Sequence, residues 1–312
     1  MSSQRKKGSV RKIIFCGLDN SGKSSFIARL KNQNYPMNLT PGVERSQYEI
    51  FGFPILIWDF GGQKKVREAY LEKTHFFDET SAVFYLIDIQ AEERIDEALD
   101  YLKALLKILT MNPILMICFH KADPDIAQSQ KITKITETIK EKLKESLKPF
   151  EHFFALTTIF DYTSVLAPFS FALSKLLPFS AVLDSYVIDY FNSQQLACIL
   201  LQDKGGAILS KATGDDQEGE LDLAFCQITG TFLTQLYESY EQRGMPIPDI
   251  SVKLPGKSKR RPNAVLLYER IVIYNKRYYL TILVKDVEQV SSINESLPEF
   301  IAGMSKTIEL SF

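Results

Sequence analysis

Residues 12–25 read KIIFCGLDNSGKSS. Lys12 to Gly17 is a β-branched and aromatic run, the composition of a buried strand. Gly17-Leu18-Asp19-Asn20-Ser21-Gly22-Lys23-Ser24 then matches G-x-x-x-x-G-K-[ST], and a helical pattern follows. Strand, glycine loop and helix in that order make the motif a phosphate-binding P-loop. Its glycines let successive backbone amides turn toward one anion, and the helix start adds its positive end. The phosphate site is therefore expected to run through Asp19, Asn20, Ser21 and Gly22 into Lys23, Ser24 and Ser25. Lys23 is placed to reach the β- and γ-phosphates and serve catalysis, and the Ser24 hydroxyl to ligate Mg2+.

Outward from the loop, short apolar runs alternate with helical patterns. Candidate strands lie at 12–17, 46–52, 54–59, 81–88, 114–119 and 152–156; candidate helices lie at 91–109, 130–147 and 163–177. In the first helix Ile95, Leu99, Leu102, Leu106 and Leu109 share one face. The alternation predicts an α/β domain whose six-stranded sheet is mainly parallel, with helices on both sides. After about residue 182 the order becomes α-β-β-α-β-β-α, with a hairpin at 195–212, an acidic turn (Asp215, Asp216, Glu218, Glu220), a helix at 221–241, strands at 263–274 and 277–284, and a last helix at 288–304. That order predicts a smaller α+β domain with an antiparallel sheet. The expected division is a basic flexible tail at 1–11, a first domain at 12–181 and a second at 182–312.

Three further motifs fall at strand ends. Asp59-Phe60-Gly61-Gly62-Gln63 follows the third strand, where P-loop enzymes place a Mg2+-holding acid. Gly62 is placed to offer its amide to the γ-phosphate, and Gln63 to orient an attacking water. His120-Lys121-Ala122-Asp123 ends the fifth strand. A carboxylate at Asp123 can accept from both donors on guanine's Watson–Crick edge, and adenine would leave it unpaired, which can discriminate by about 10⁴–10⁵. His120 is expected in the same base-binding loop, and the Lys121 stem can cover the base. Thr40, within Asn38-Leu39-Thr40-Pro41-Gly42, is placed by position to give its hydroxyl to Mg2+ and its amide to the γ-phosphate, as a loop that hydrolysis releases. Thr158 and Ile159, after the sixth strand, are placed to approach the base through backbone amides. The expected metal ligands are Ser24, Thr40 and Asp59, and the expected cofactors are GTP or GDP with Mg2+.

GLDNSGKSS with WDFGGQ resembles the Arf-type small GTPases. His-Lys-Ala-Asp, where most small GTPases have Asn-Lys-x-Asp, resembles the Rag GTPases. So do LTTIFDYTSVLAPFSFALSKLLPF and the continuation into a second α+β domain; the P-loop is Arf-like where Rag proteins carry a different loop. The resemblance implies a Ras-like G domain followed by a roadblock-like domain, a hydrolysing switch between GTP and GDP forms, and a homo- or heterodimer through residues 182–312. Effectors, an exchange factor and an activating protein are implied with it. No arginine is evidently positioned in cis, Arg45 and Arg67 being only switch-region candidates. Unaided turnover is then expected on the order of 10⁻⁴–10⁻³ s⁻¹. A nucleotide-locked scaffold with little hydrolysis is the main rival, and an ATPase the remoter one.

Composition narrows the classes further. The chain has 312 residues, 45% hydrophobic and 24% charged, as in an ordinary globular protein. Lys plus Arg is 37 and Asp plus Glu 38, a net charge of −1, so nucleic acid is not an expected partner. Four cysteines (Cys16, Cys118, Cys198, Cys226), scattered in apolar runs, fit a reducing cytoplasmic setting. The start shows no secretory or myristoylation signal and the end no prenylation motif. Residues 165–183 approach the length of a membrane span. Lys175 at the centre would cost about 2.5–3.5 kcal/mol there, and Pro168 and Pro178 interrupt it, so a buried helix is expected. Membrane residence is expected only through partners. The basic stretches at 1–12 and 253–261 read as solvated segments, Trp58 as core, and His75 and His152 as lacking ligand partners at metal spacing.

Overall fold

The computed structural model describes residues 10–31, 40–50, 53–245, 252–253, 264–273 and 275–309. Asn38, Leu39 and the greater part of both basic stretches lie outside the described residues. The described residues form two compact units, 10–172 and 173–309. The division thus falls inside a helix, whereas the sequence reading places it after residue 181.

In the N-terminal unit the strands are β1 (Arg11–Gly17), β2 (Val43–Ile50), β3 (Phe53–Phe60), β4 (Thr80–Asp88), β5 (Ile114–His120) and β6 (His152–Thr157). They form one sheet in the order β2-β3-β1-β4-β5-β6. Only the β2–β3 pair is antiparallel. Arg11, expected in the tail, already pairs with Ile55 across β1 and β3. The helices are α1 (Lys23–Leu30), α2 (Lys64–Glu72), α3 (Ile95–Ile108), α4 (Gln130–Leu147) and α5 (Tyr162–Leu176).

Strands β1, β4 and β5 are buried along nearly their whole length, which is why they read as unbroken apolar runs rather than alternating ones. One face of the sheet packs Ile14, Val83, Tyr85 and Ile117 against Leu99 and Leu102 of α3 and Ile139 and Leu143 of α4. On the other, Phe15, Phe26, Phe84 and Phe169 form a chain of rings, Phe15 stacked on Phe84 at 4.7 Å. Residues 91–94, expected within the helix, form instead a short tight turn over Glu92–Arg94 before α3. Every parallel crossover returns at the same end of the sheet, so the loops after β1, β3, β5 and β6 gather there, where ligands of open α/β sheets bind.

The C-terminal unit holds α6 (Ser180–Ser193), β7 (Cys198–Asp203), β8 (Ile208–Thr213), α7 (Gln217–Gln242), β9 (Val252–Lys253), β10 (Val265–Ile273), β11 (Lys276–Val284) and α8 (Val290–Glu309). Its sheet runs β8-β7-β11-β10-β9 and is antiparallel throughout. Cys198, Leu200 and Leu283 pack against Cys226 and Leu233 of α7. The alternate residues Ile199 and Leu201 are equally buried, because α6 and α8 cover the opposite face. The acidic stretch expected as a turn is the start of α7: Asp216 caps the helix by accepting from the Gly219 amide at 2.9 Å, and Glu218 and Glu220 occupy the first turn. Acids there complement the helix dipole, which outweighs their reading as turn residues. No single helix among the described residues is long and apolar enough to cross a membrane. The apolar residues 165–183 are divided between α5 and α6, and Val165, Leu173 and Leu183 are buried.

Candidate functional site

The P-loop leaves β1 at Gly17 and enters α1 at Lys23. Asn20 takes a left-handed φ of 59° and Gly22 one of 89°. A Cβ on Gly22 would lie 2.5 Å from His120 Cδ2, so only glycine fits between the loop and that ring. Gly22 supplies no side-chain cap, which leaves first-turn amides of α1 for a ligand. Ser25 continues this half-buried turn. The Lys23 ammonium is buried and donates to the Leu18 carbonyl at 2.7 Å and to Ser21 Oγ at 3.4 Å. Burial lowers its pKa, against the nearby Asp59 charge.

Ser24, Thr40 and Asp59 converge, although they come from α1, the segment before β2 and the end of β3. Ser24 Oγ donates to Asp59 Oδ2 and lies 2.9 Å from Thr40 Oγ1, which lies 3.4 Å from the same carboxylate oxygen. Burial pushes the Asp59 carboxyl up, while the Ser24 hydrogen bond and the Lys23 charge pull it back. The second oxygen, Asp59 Oδ1, is buried with no hydrogen-bond partner. A buried, orphaned carboxylate oxygen beside two hydroxyls is a hard-oxygen donor set, and it fits Mg2+. Beside it, Gly62 closes on the P-loop. A Cβ there would overlap the Asp19 amide and the Leu18 carbonyl. The Gly62 carbonyl accepts from the Asp19 amide at 2.9 Å, so offering the Gly62 amide to a phosphate requires this contact to open. Gln63 stands exposed at the N-cap of α2; its side chain is adjacent to the site and not drawn into it.

The loop after β5 turns at Lys121, whose φ is 62°. The Lys121 ammonium pairs with Asp88 at the end of β4 at 2.7 Å. Asp123 Oδ1 accepts from Thr158 Oγ1 at 2.6 Å, and Oδ2 accepts from Gln90 Nε2 at 3.1 Å. The Thr158 amide, expected to approach the base, donates to Ser164 Oγ at 3.0 Å; Ile159 follows it in the same turn. His120 is also relocated: it is 2% exposed, with Nδ1 2.9 Å from Thr157 Oγ1 and its ring under Gly22. The ring thus sits directly beneath the P-loop. Burial and the Lys121 charge lower its pKa to about 4, so it is neutral at pH 7.

Both switch-region arginines are engaged elsewhere. Arg67 is buried against Tyr101 and pairs with Glu97 at 2.5 Å. Arg45 lies over the Trp58 ring at 4.1 Å, with Lys12 over the same ring at 4.0 Å. Trp58 is therefore a half-buried ring between two cations. Two residues in contact with the site carry no motif signal: Gln90, on Asp123, and Arg94, on Asp19. No helix-period or spacing rule marks them, since each reaches the site only through the fold. The four cysteines are buried free thiols, and burial pushes Cys16 up to about 12.

A family model described as the ADP-ribosylation factor family matches residues 1–155. "ADP-ribosylation factor-like protein 3" of Chlamydomonas reinhardtii is 32% identical over 117 residues, 37% of this chain and 64% of that protein. "ADP-ribosylation factor-like protein alp41" of Schizosaccharomyces pombe is 30% identical over 146 residues, 46% of this chain and 76% of that protein. Among solved structures, the Arl6 BBS3 small GTPase from Trypanosoma brucei with bound nucleotide analogue aligns at a TM-score of 0.46 and 20% identity, over 54% of this chain and 97% of that one. By the identity and coverage of the Schizosaccharomyces pombe relative, the chain belongs to the ADP-ribosylation factor family.

Proposed function

We propose that the chain is a guanine-nucleotide switch of the Arf/Rag type, which binds GTP with Mg2+ and hydrolyses it to GDP and phosphate. The observation that carries the reading is the convergence of Ser24, Thr40 and the orphaned Asp59 oxygen beside Lys23 and the P-loop. Bound Mg2+ would neutralise phosphate charge; Ser24, Thr40 and Asp59 would hold it. The chain's own part is positioning and electrostatics. Lys23 brings a desolvated cation to the phosphates. Asp123, oriented by Thr158, presents a carboxylate to the base. Gln63, at the N-cap of α2 and next to Gly62, would orient the attacking water.

Gln63→Leu is expected to slow single-turnover phosphate release about 10-fold or more while GTP affinity changes less than about threefold. Wild-type turnover in that variant removes Gln63 from the reaction. The nucleotide retained by freshly purified protein tests the whole reading: GDP or GTP is expected, and ATP or none refutes it. A nucleotide-locked scaffold would retain GTP and release no phosphate in a single turnover.

The Rag-like part of the reading assigns the C-terminal unit to roadblock-type pairing, with a second copy or a related chain as the partner. It is supported by Leu221, Ile228 and Phe232, which are 70%, 60% and 61% exposed. Their spacings of seven and four place them on one line of α7. Phe232→Glu is expected to turn a dimer into a monomer by sedimentation; a wild-type monomer at about 100 μM, well above the micromolar range of weak pairing, refutes pairing with itself. Work in the cytoplasm under exchange and activating proteins, with membrane residence only through partners, belongs to the same reading.

A further inference from the structure

Arg94 belongs to no motif and stands at the end of the short turn before α3, yet its guanidinium lies on the P-loop. Nη2 donates to Asp19 Oδ1 at 2.6 Å and Nη1 to the Asp19 carbonyl at 3.1 Å. The Asp19 amide meanwhile donates to the Gly62 carbonyl at 2.9 Å. The amide, the carbonyl and one carboxylate oxygen of one loop residue are thus held. Arg94 is itself steadied from behind: Glu97 Oε2 lies 3.7 Å from its Nε, while Glu97 Oε1 takes Arg67 of α2.

We propose that Arg94 is a positioning residue of the phosphate site, which neutralises and turns aside the Asp19 carboxylate so that the P-loop accepts a third phosphate. The proposal rests on the guanine-nucleotide reading above. An acid on this loop is out of place beside a polyanion, because its amides and helix end are arranged to attract negative charge. A carboxylate swung toward the mouth would repel each added phosphate, and triphosphate more than diphosphate. The guanidinium clamps it by two hydrogen bonds from one rigid fork. Burial opposes ionisation of Asp19, yet the Arg94 hydrogen bond and charge leave its pKa below the ordinary carboxylate value. The acid is therefore a charge that the arginine offsets.

The test is the ratio of GTP to GDP affinity, measured by competition in the full chain. Arg94→Ala should lower that ratio about tenfold, and raising salt to about 0.5 M should shrink the loss by screening. Adding Asp19→Asn to Arg94→Ala should restore the ratio, because the charge being shielded is gone. Persistence of the loss in the double variant would mean that Arg94 binds phosphate directly, and would overturn the proposal. A wild-type ratio in Arg94→Ala would overturn it as well. If Arg94→Ala does not fold, Arg94→Lys and Arg94→Gln carry the comparison: lysine should keep most of the preference and glutamine should lose it, and equal ratios in the two reject a charge role. Wild-type protein that binds neither nucleotide would instead remove the underlying functional reading, so the two failures are distinct.

Discussion

Replacing Asp123 by asparagine is expected to lower GDP affinity by about 10³-fold or more, while the melting temperature of the nucleotide-free protein changes little. The carboxylate accepts from Thr158 on one oxygen and from Gln90 on the other. Gln90 is exposed, so a base can displace its amide; Thr158 is buried and stays. Two guanine donors would then share a charged acceptor, and charge-assisted bonds are worth roughly twice neutral ones. An asparagine offers one acceptor and turns an N–H toward a guanine donor, leaving both unpaired. Unmet buried polar groups are what make such sites discriminate by about 10⁴–10⁵. A base with a carbonyl in place of guanine's exocyclic amine meets that N–H as an acceptor. Xanthosine diphosphate should therefore gain on GDP in the variant. Competition among GDP, ADP and xanthosine diphosphate measures this, and unchanged GDP affinity would remove Asp123 from base recognition.

The residues in that site differ in how far the sequence announced them. The P-loop, Asp59 and Asp123 were legible because each depends on local order: a strand end, a fixed spacing, and glycine where backbone must turn. The strands of the N-terminal unit were legible for a related reason, since burial on both faces leaves unbroken apolar runs. Arg94 was not legible. It is 75 residues from Asp19, and nothing in GLDNSGKSS or AEERIDEAL tells one arginine from its neighbours. Gln90 escaped for the same reason, as did the placement of Trp58 between Lys12 and Arg45, where cations from adjacent strands meet one ring.

Thr158 and His120 were found in sequence, but the side-chain contacts they make were not: Thr158 donates to Asp123, and His120 fills the space beneath Gly22. In the C-terminal unit the apolar strand runs were legible, for the same reason of burial on both faces, and the start of α7 was not. Asp216, Glu218 and Glu220 have turn-forming or solvated character in isolation, and only the helix that follows converts them into a cap and a favourable first turn.

His120 gives the second large effect, on stability. Its folded pKa is about 4, against an ordinary value of 6.5. Between those values the unfolded chain binds a proton that the folded chain refuses. Stability therefore rises with pH through this window, and falls as pH drops from about 6.5 toward 4, by about 3 kcal/mol in total. The cause is local: the ring is 2% exposed, its Nδ1 faces Thr157 Oγ1, and Nε2 lies against the glycine backbone of the P-loop. Charging it there buries a cation with Lys121 beside it. Carboxylates titrate over the lower part of the same range, so the wild type alone does not isolate the effect. His120→Asn keeps a hydrogen-bonding side chain toward Thr157 and cannot titrate. The stability difference between wild type and this variant, from urea unfolding, should therefore shift against the wild type by about 2 kcal/mol between pH 7 and pH 4.5. A variant that tracks the wild type in parallel across that range would show that His120 is not the neutral prop beneath the phosphate loop. If it is, charging the ring presses a cation against Gly22, and nucleotide affinity should weaken over the same window before the fold is lost.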